Sequence, residues 1–195
     1  MKILLCLIFI SILVSCQRPT DALDEKDLYQ FVRDEHNNVS KKEEADGYTV
    51  TVTYKPSDLI ALQQMRSKTS SEFDSLSHYY SRYLYLMLDM TYDGKDLETA
   101  YASDPGSFAE KIAYLSSGMT EHIQLVTARD TTVLTDYVYA RSYGLGSSQC
   151  LLVFDKPKEE DFKILVNGLV LGFGQLSFPF QSSDIKNTPQ LKLKL

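Results

Sequence analysis

The 195-residue chain has no tryptophan, and basic residues are the minority charge, 20 Lys and Arg against 26 Asp and Glu. A formal charge of −6 and the lack of any basic stripe remove the electrostatic grip that nucleic acid requires. Glycine-rich signatures are missing as well. Gly168-Leu-Val-Leu-Gly172-Phe-Gly174 lacks both the spacing and the following helix of a dinucleotide fingerprint, and Gly144-Leu-Gly-Ser-Ser148 is no nucleophile elbow. The three histidines, His36, His78 and His122, fall on separate expected elements with no i, i+4 partner and no cysteine pair. No catalytic residue, metal set or cofactor is assigned. Glu159-Glu160-Asp161 reads as a solvated turn. Asp93, Asp96 and Glu98 lack the loop of an EF-hand.

Long apolar runs are scarce too, with one exception at the start. Met1-Lys2 leads into an apolar stretch from Ile3 to Val14 broken only by Ser11. As a helix it would reach about 18 Å, short of the ~30 Å hydrocarbon core, so it is no ordinary span. A basic start, a short apolar run and a small-residue cleavage site are the anatomy of an export signal. The tetrad Leu13-Val14-Ser15-Cys16 that closes the run resembles the lipobox of bacterial lipoproteins. That resemblance implies cleavage between Ser15 and Cys16 and attachment of diacylglycerol, and commonly a third palmitate-like chain, to Cys16. Two or more acyl chains anchor stably where one does not.

The expected organisation is therefore a signal peptide over residues 1–15, a lipid-anchored tether over 16–23 and one domain over 24–195. Gln17 follows the cysteine where an inner-membrane retention signal would place aspartate. This favours the outer membrane over the inner, with the periplasmic or surface face left open. Losing Lys2 with the signal makes the mature chain more acidic by one charge. Cys6 leaves too and Cys16 carries lipid, so Cys150 has no disulfide partner within the chain. Its setting, Gln149-Cys150-Leu-Leu-Val-Phe154, is that of a buried strand thiol.

Periodicity predicts an α+β fold, mainly an antiparallel β-sandwich-like sheet with a few short helices. Helices are expected from Asp24 to His36, from Ser57 to Met65 with Leu59, Leu62 and Met65 as its stripe, and after Thr69-Ser-Ser-Glu72. Another is expected after the capping box Ser107-Phe-Ala-Glu110, closed by Gly118 as a left-handed cap. Tyr48–Tyr54 alternates strictly and is the clearest strand. Others are expected over 82–92, Glu121–Thr127, Val133–Tyr143, Ser148–Lys156, Phe162–Val166 and 174–181. Asn167-Gly168 suits a tight hairpin, Ser40–Gly47 reads as a charged loop, and Gln190–Leu195 as an edge strand. The first helix, the Tyr48–Pro56 strand and the closing Phe173–Phe180 segment are similar to small uncharacterised Bacteroidetes lipoproteins, a likeness that implies no activity.

Tyrosine is plentiful, 13 residues in all. Tyr83, Tyr85, Tyr137, Tyr139 and Tyr143 would form an interface if they shared one sheet face; the alternative is a face covered by helices. Three functional classes follow: a lipid-anchored envelope module that binds a protein or glycan partner, a hydrolase with a spatially assembled His/carboxylate site, and an inhibitor or immunity lipoprotein. The anchor is testable directly. Cys16→Ala is expected to abolish incorporation of labelled palmitate and move the protein out of the membrane fraction. Fractionation with membranes as the parent does would contradict the lipid anchor.

Overall fold

The computed structural model describes residues 22–194 apart from 142 and 159; the signal peptide expected over residues 1–15, with Ser15 and Cys16 at its expected cleavage site, lies outside the described residues. Helix α1 (Glu25–Arg33) opens where expected. Asp24 caps it by accepting from Asp27 N at 3.0 Å, acidic residues fill its first turn, and Leu28 and Val32 are buried. A 3-10 turn over Glu35–Asn37 ends at Asn38, whose φ of 60° is left-handed.

Residues 40–45 form strand β1 (Ser40–Ala45), which corrects the loop expected there. The Asp46-Gly47 turn, with φ of 52° and 84°, folds β1 back onto β2 (Tyr48–Lys55). Two successive positive φ values are what a twisted two-residue hairpin demands. The charges of β1 mark a solvated edge strand rather than a loop. Pro56 ends β2 and itself occupies the cap position of α2 (Ser57–Gln64), so Ser57 is its first residue. This helix buries Leu59, Ile60 and Ala61 rather than the expected Leu59, Leu62 and Met65 stripe, because it is wedged between α1 and the sheet. Thr69 caps α3 (Ser70–Tyr80) by accepting from Glu72 N. The Glu72 carboxylate turns back to Arg66 N and Ser67 N, bracing the preceding turn.

Strand β3 (Tyr83–Tyr92) follows, and Asp93-Gly94 turns into β4 (Lys95–Asp96). Helix α4 (Leu97–Tyr101) was not expected. Helix α5 (Pro105–Ser116) starts earlier than its capping box suggests: Asp104 is the cap and Pro105 the first residue, where a missing N–H costs nothing. Gly118 is no left-handed cap; it opens a 3-10 turn to His122, and strand β5 (Ile123–Thr127) begins only after it.

The single strand expected over 133–143 is two, β6 (Thr131–Val133) and β7 (Asp136–Ala140), which belong to different sheets. After β8 (Ser148–Asp155) come β9 (Phe162–Asn167), β10 (Gln175–Phe180) and the short α6 (Ser182–Lys186). Among the described residues the C-terminal tail makes no edge strand. It forms one parallel bridge, Leu191 with Leu23, with Leu23 N donating to Gln190 O at 2.9 Å. Leu23, assigned above to the tether, is thus fastened to the domain.

Two antiparallel sheets result, ordered β1-β2-β3-β8-β7 with β4 on β3, and β10-β9-β5-β6. Val50, Val52, Leu86, Leu88, Cys150 and Leu152 on the first face Ile123, Leu125, Ile164, Val166, Phe178 and Phe180 on the second across one core, with α5 closing an end. This is the expected α+β fold with its sheet-rich core. A second cluster, Leu28, Val32, Val39, Leu59 and Leu191, seats α1 and the tail beside Tyr54. No helix of the described residues is long and apolar enough to cross a membrane.

Asn167-Gly168 does not close a tight hairpin. The chain loops out over 168–174 and returns Leu171 and Phe173 to the core, with Gly168 O accepting from Leu171, Gly172 and Phe173 N. A Cβ on Gly168 would lie 2.1 Å from Cε2 of Phe173, so the ring occupies the space a side chain would need. Gly168→Ala is expected to destabilise by about 1–3 kcal/mol through overpacking. In a Phe173→Ala background the same change should cost little, and additive costs in denaturant melts would contradict that contact.

Candidate functional site

Register assigns every residue of the larger sheet to one of two faces. Thr51 pairs with Asp89, Asp89 with Gln149 and Gln149 with Ala140; the next row is Ser40, Thr53, Met87, Leu151 and Val138. Both rows point away from the shared core. Beyond them on the same face, Tyr85 and Val153 lie buried with Ile60 beneath α2 and α3. The outer face is therefore half covered by helices and half open.

The open half is the floor of a groove of about 640 Å³. Thr51, Met87, Asp89 and Gln149 form its base, Tyr29 and Arg33 of α1 one wall, and Ser147 its far end. Asp89 Oδ1 accepts from Gln149 Nε2 at 2.7 Å and Ser147 Oγ at 3.1 Å. Oδ2 receives no donor among the described residues. On the wall, Gln63 links the Lys55 ammonium to the Tyr29 hydroxyl, accepting from Nζ at 3.1 Å and donating to the phenol at 2.7 Å. Burial alone pushes Lys55 below the usual ammonium range.

The loop that ends at Ser147 rims this groove and is held from below. Gly144 and Gly146 take φ of 70° and 85°, where a side chain would be strained. Tyr143 and Leu145 stand out at 59% and 75% exposure. Gly144 N donates to Asp96 Oδ2 at 3.1 Å, and Asp96, only 2% exposed, also caps α4 through Thr99 N. Burial pushes the Asp96 carboxyl up, but hydrogen bonds from Thr99 and Gly144 outweigh it and hold the group below its ordinary range. Beneath it Glu98 is fully buried. Tyr139 and Ser148 donate to its two oxygens, and Ser148 Oγ accepts from Leu97 N at 2.9 Å. Asp96 and Glu98, near Gly94 in the sequence, thus brace the loop internally.

The five interface tyrosines divide. Tyr83 and Tyr85 lie on the helix-covered outer face, in an aromatic cluster with Tyr79 and Tyr80. Tyr137 and Tyr139 point the other way, because they pair with the core residues Leu152 and Cys150. Tyr137 donates to Leu115 O at 2.6 Å and meets Cys150 Sγ at 3.0 Å. Tyr143 alone is exposed, its ring stacked near Phe108. A single five-tyrosine surface is not formed. Cys150 is the buried strand thiol expected, pushed up to about 12 by burial.

His36 bonds Asp34 at 2.8 Å, His78 lies on α3, and His122 packs against Tyr114. Among the described residues no group of three or more His, Cys, Asp and Glu is placed to hold a metal. The groove residues escaped the sequence reading, since Thr51, Asp89 and Gln149 meet only through register. The one available signal was a polar residue at an alternate position of each apolar strand.

Burial pushes the phenols of Tyr54, Tyr85 and Tyr114 up to about 12, against an ordinary value of 10.0. Tyr48, Tyr137 and Tyr139 are raised by burial as well, then by hydrogen-bonded neighbours. Above pH 10 the unfolded chain releases phenolic protons that the folded protein retains, so unfolding becomes easier. Thermal melts are expected to show the contribution of these phenols intact to about pH 9, with stability then falling steeply between about pH 10 and 12. The tyrosinate absorbance of these six residues should appear together with unfolding; their free titration in the folded state would contradict their burial.

No protein-family model matches this chain, and no curated protein or solved structure matches it.

Proposed function

We propose that the mature protein is a lipid-anchored envelope module that binds a protein or glycan partner in the groove on the outer face of its larger sheet. The observation that carries this is the unequal cover of that face. Helices seal one half with Tyr85, Ile60 and Val153, while the other half leaves polar side chains open in a walled depression. Groups that could have been capped by a helix are instead kept reachable, and the adjoining loop presents Tyr143 and Leu145 from a braced base. Aromatic and aliphatic side chains exposed on a rigid support are common recognition elements.

The lipobox-like tetrad supplies the anchor in this reading. Residues 17–22 reach at most about 20 Å when fully extended, so the Leu23 end of the domain stays close to the bilayer. Leu23 packs in the cluster that includes Tyr54, near the end of β2. The Asp46-Gly47 turn and the 143–147 loop lie toward the opposite end of the strands, since Ser148 pairs with Met90 and Met90 with Val50. The loop and the groove end it rims are thereby turned away from the membrane.

A photo-crosslinking side chain at Thr51 of the lipidated protein, irradiated in intact envelopes, tests the binding reading. Thr51 is expected to yield a heavier adduct that Asp89→Ala diminishes. The same group at Gln124, on the outer face of the smaller sheet, is expected to yield none. Equal adducts from both positions, or none from Thr51, would contradict the proposal.

A further inference from the structure

We infer that the groove takes a neutral, hydroxyl-rich ligand, an oligosaccharide chain lying across the strands; the inference rests on reading the groove as the binding site. A sheet face offers side chains only, because the main-chain groups beneath are consumed in the ladders. A peptide therefore cannot add there as a further strand, the mode in which main-chain bonds supply affinity. The ligand must instead be recognised by polar side chains at fixed spacing.

Thr51, Asp89 and Gln149 provide that spacing. They are direct neighbours on β2, β3 and β8, at the ~4.8 Å separation of adjacent strands. Asp89 Oδ1 holds both the Ser147 hydroxyl and the Gln149 amide, which fixes the carboxylate and leaves Oδ2 to accept from a ligand. Gln149 spends one Nε2 proton on Asp89 and keeps Oε1 as an acceptor. Thr51 adds a hydroxyl that donates or accepts. A carboxylate, an amide and a hydroxyl in a row complement a chain of hydroxyl groups, each of which donates and accepts.

Charge argues for the same class. Arg33 and Lys55 line the groove with Glu35 and Asp89, so its formal charges cancel. A polyanion and a polycation would each meet repulsion as well as attraction, whereas an uncharged polar chain meets neither. Met87, between Thr53 and Leu151 in its row, gives the floor an apolar spot for the C–H face of a sugar ring. The volume, about 640 Å³, lies within the range of small-ligand sites.

The full lipidated chain in detergent micelles is titrated calorimetrically with neutral linear hexasaccharides of glucose, mannose, galactose, xylose and N-acetylglucosamine. At least one is expected to bind. Asp89→Ala and Gln149→Ala should each weaken it about tenfold or more, the scale of a lost charge-assisted or paired hydrogen bond. Ser177→Ala, on the outer face of the smaller sheet, should leave it unchanged, and unaltered melting of the groove variants separates lost binding from lost folding. Binding indifferent to Asp89→Ala and Gln149→Ala overturns the inference. So does the absence of binding by every member: with a protein adduct still forming from Thr51, the glycan class alone fails, and with no adduct the binding reading fails with it.

Discussion

Alternation along the three central strands, β2, β3 and β8, governs both the stability of this domain and its accessible chemistry. Each strand sends every second side chain into the shared core, and the register between strands aligns those side chains into continuous rows. Val52, Leu88 and Cys150 form one such row, and one residue along, Thr51, Asp89 and Gln149 form the row that floors the groove. A slip of one residue would exchange the two sets, burying a carboxylate and exposing the core. The apolar face therefore holds the polar face in register. Burial of the former, at roughly 25 cal/mol per Å² of apolar surface, is what keeps the latter arranged.

A second constraint acts at the end of the same strands. Glu98 is enclosed in the protein with Tyr139 and Ser148 on its oxygens, and Asp96 beside it holds both the start of α4 and the 143–147 loop. Enclosing a carboxylate is costly, and removing one donor leaves that cost uncompensated. The return is positional: a glycine-containing loop that would otherwise lack fixed contacts is tied at Gly144 from below and at Ser147 to Asp89. The loop and groove are thus joined through two acidic residues with opposite surroundings, one buried and one open.

Much of this was legible in the sequence. Strict alternation in Tyr48–Tyr54 and in the 83–92 segment announced both strands, and Thr69 with Glu72 announced a helix. The failures share a physical origin. Strand β1 was hidden because an edge strand with one solvated face carries charges that resemble a loop, and only the paired positive φ of Asp46-Gly47 betrays it. The 133–143 segment reads as one β-rich stretch, yet Leu134-Thr135 passes it from one sheet to the other, a tertiary event that the sequence expectation of a single strand did not separate. The tyrosines fail more subtly. Alternation places Tyr83 with Tyr85 and Tyr137 with Tyr139, but which pair faces the core is decided by Leu152 opposite Tyr137 and Leu86 opposite Leu152. Thr51, Asp89 and Gln149 were invisible for the same reason, being gathered by register from widely separated stretches.

The central claim, that the uncovered half of the outer sheet face is occupied in the envelope, is tested most directly by thiol footprinting. Thr51→Cys is labelled with a membrane-impermeant maleimide in opened envelopes and after purification, beside Gln124→Cys on the smaller sheet; the buried Cys150 thiol stays inert. Position 51 is expected to react freely in the purified protein and to be protected in envelopes, while position 124 reacts in both. Equal labelling of position 51 in the two states would contradict the claim.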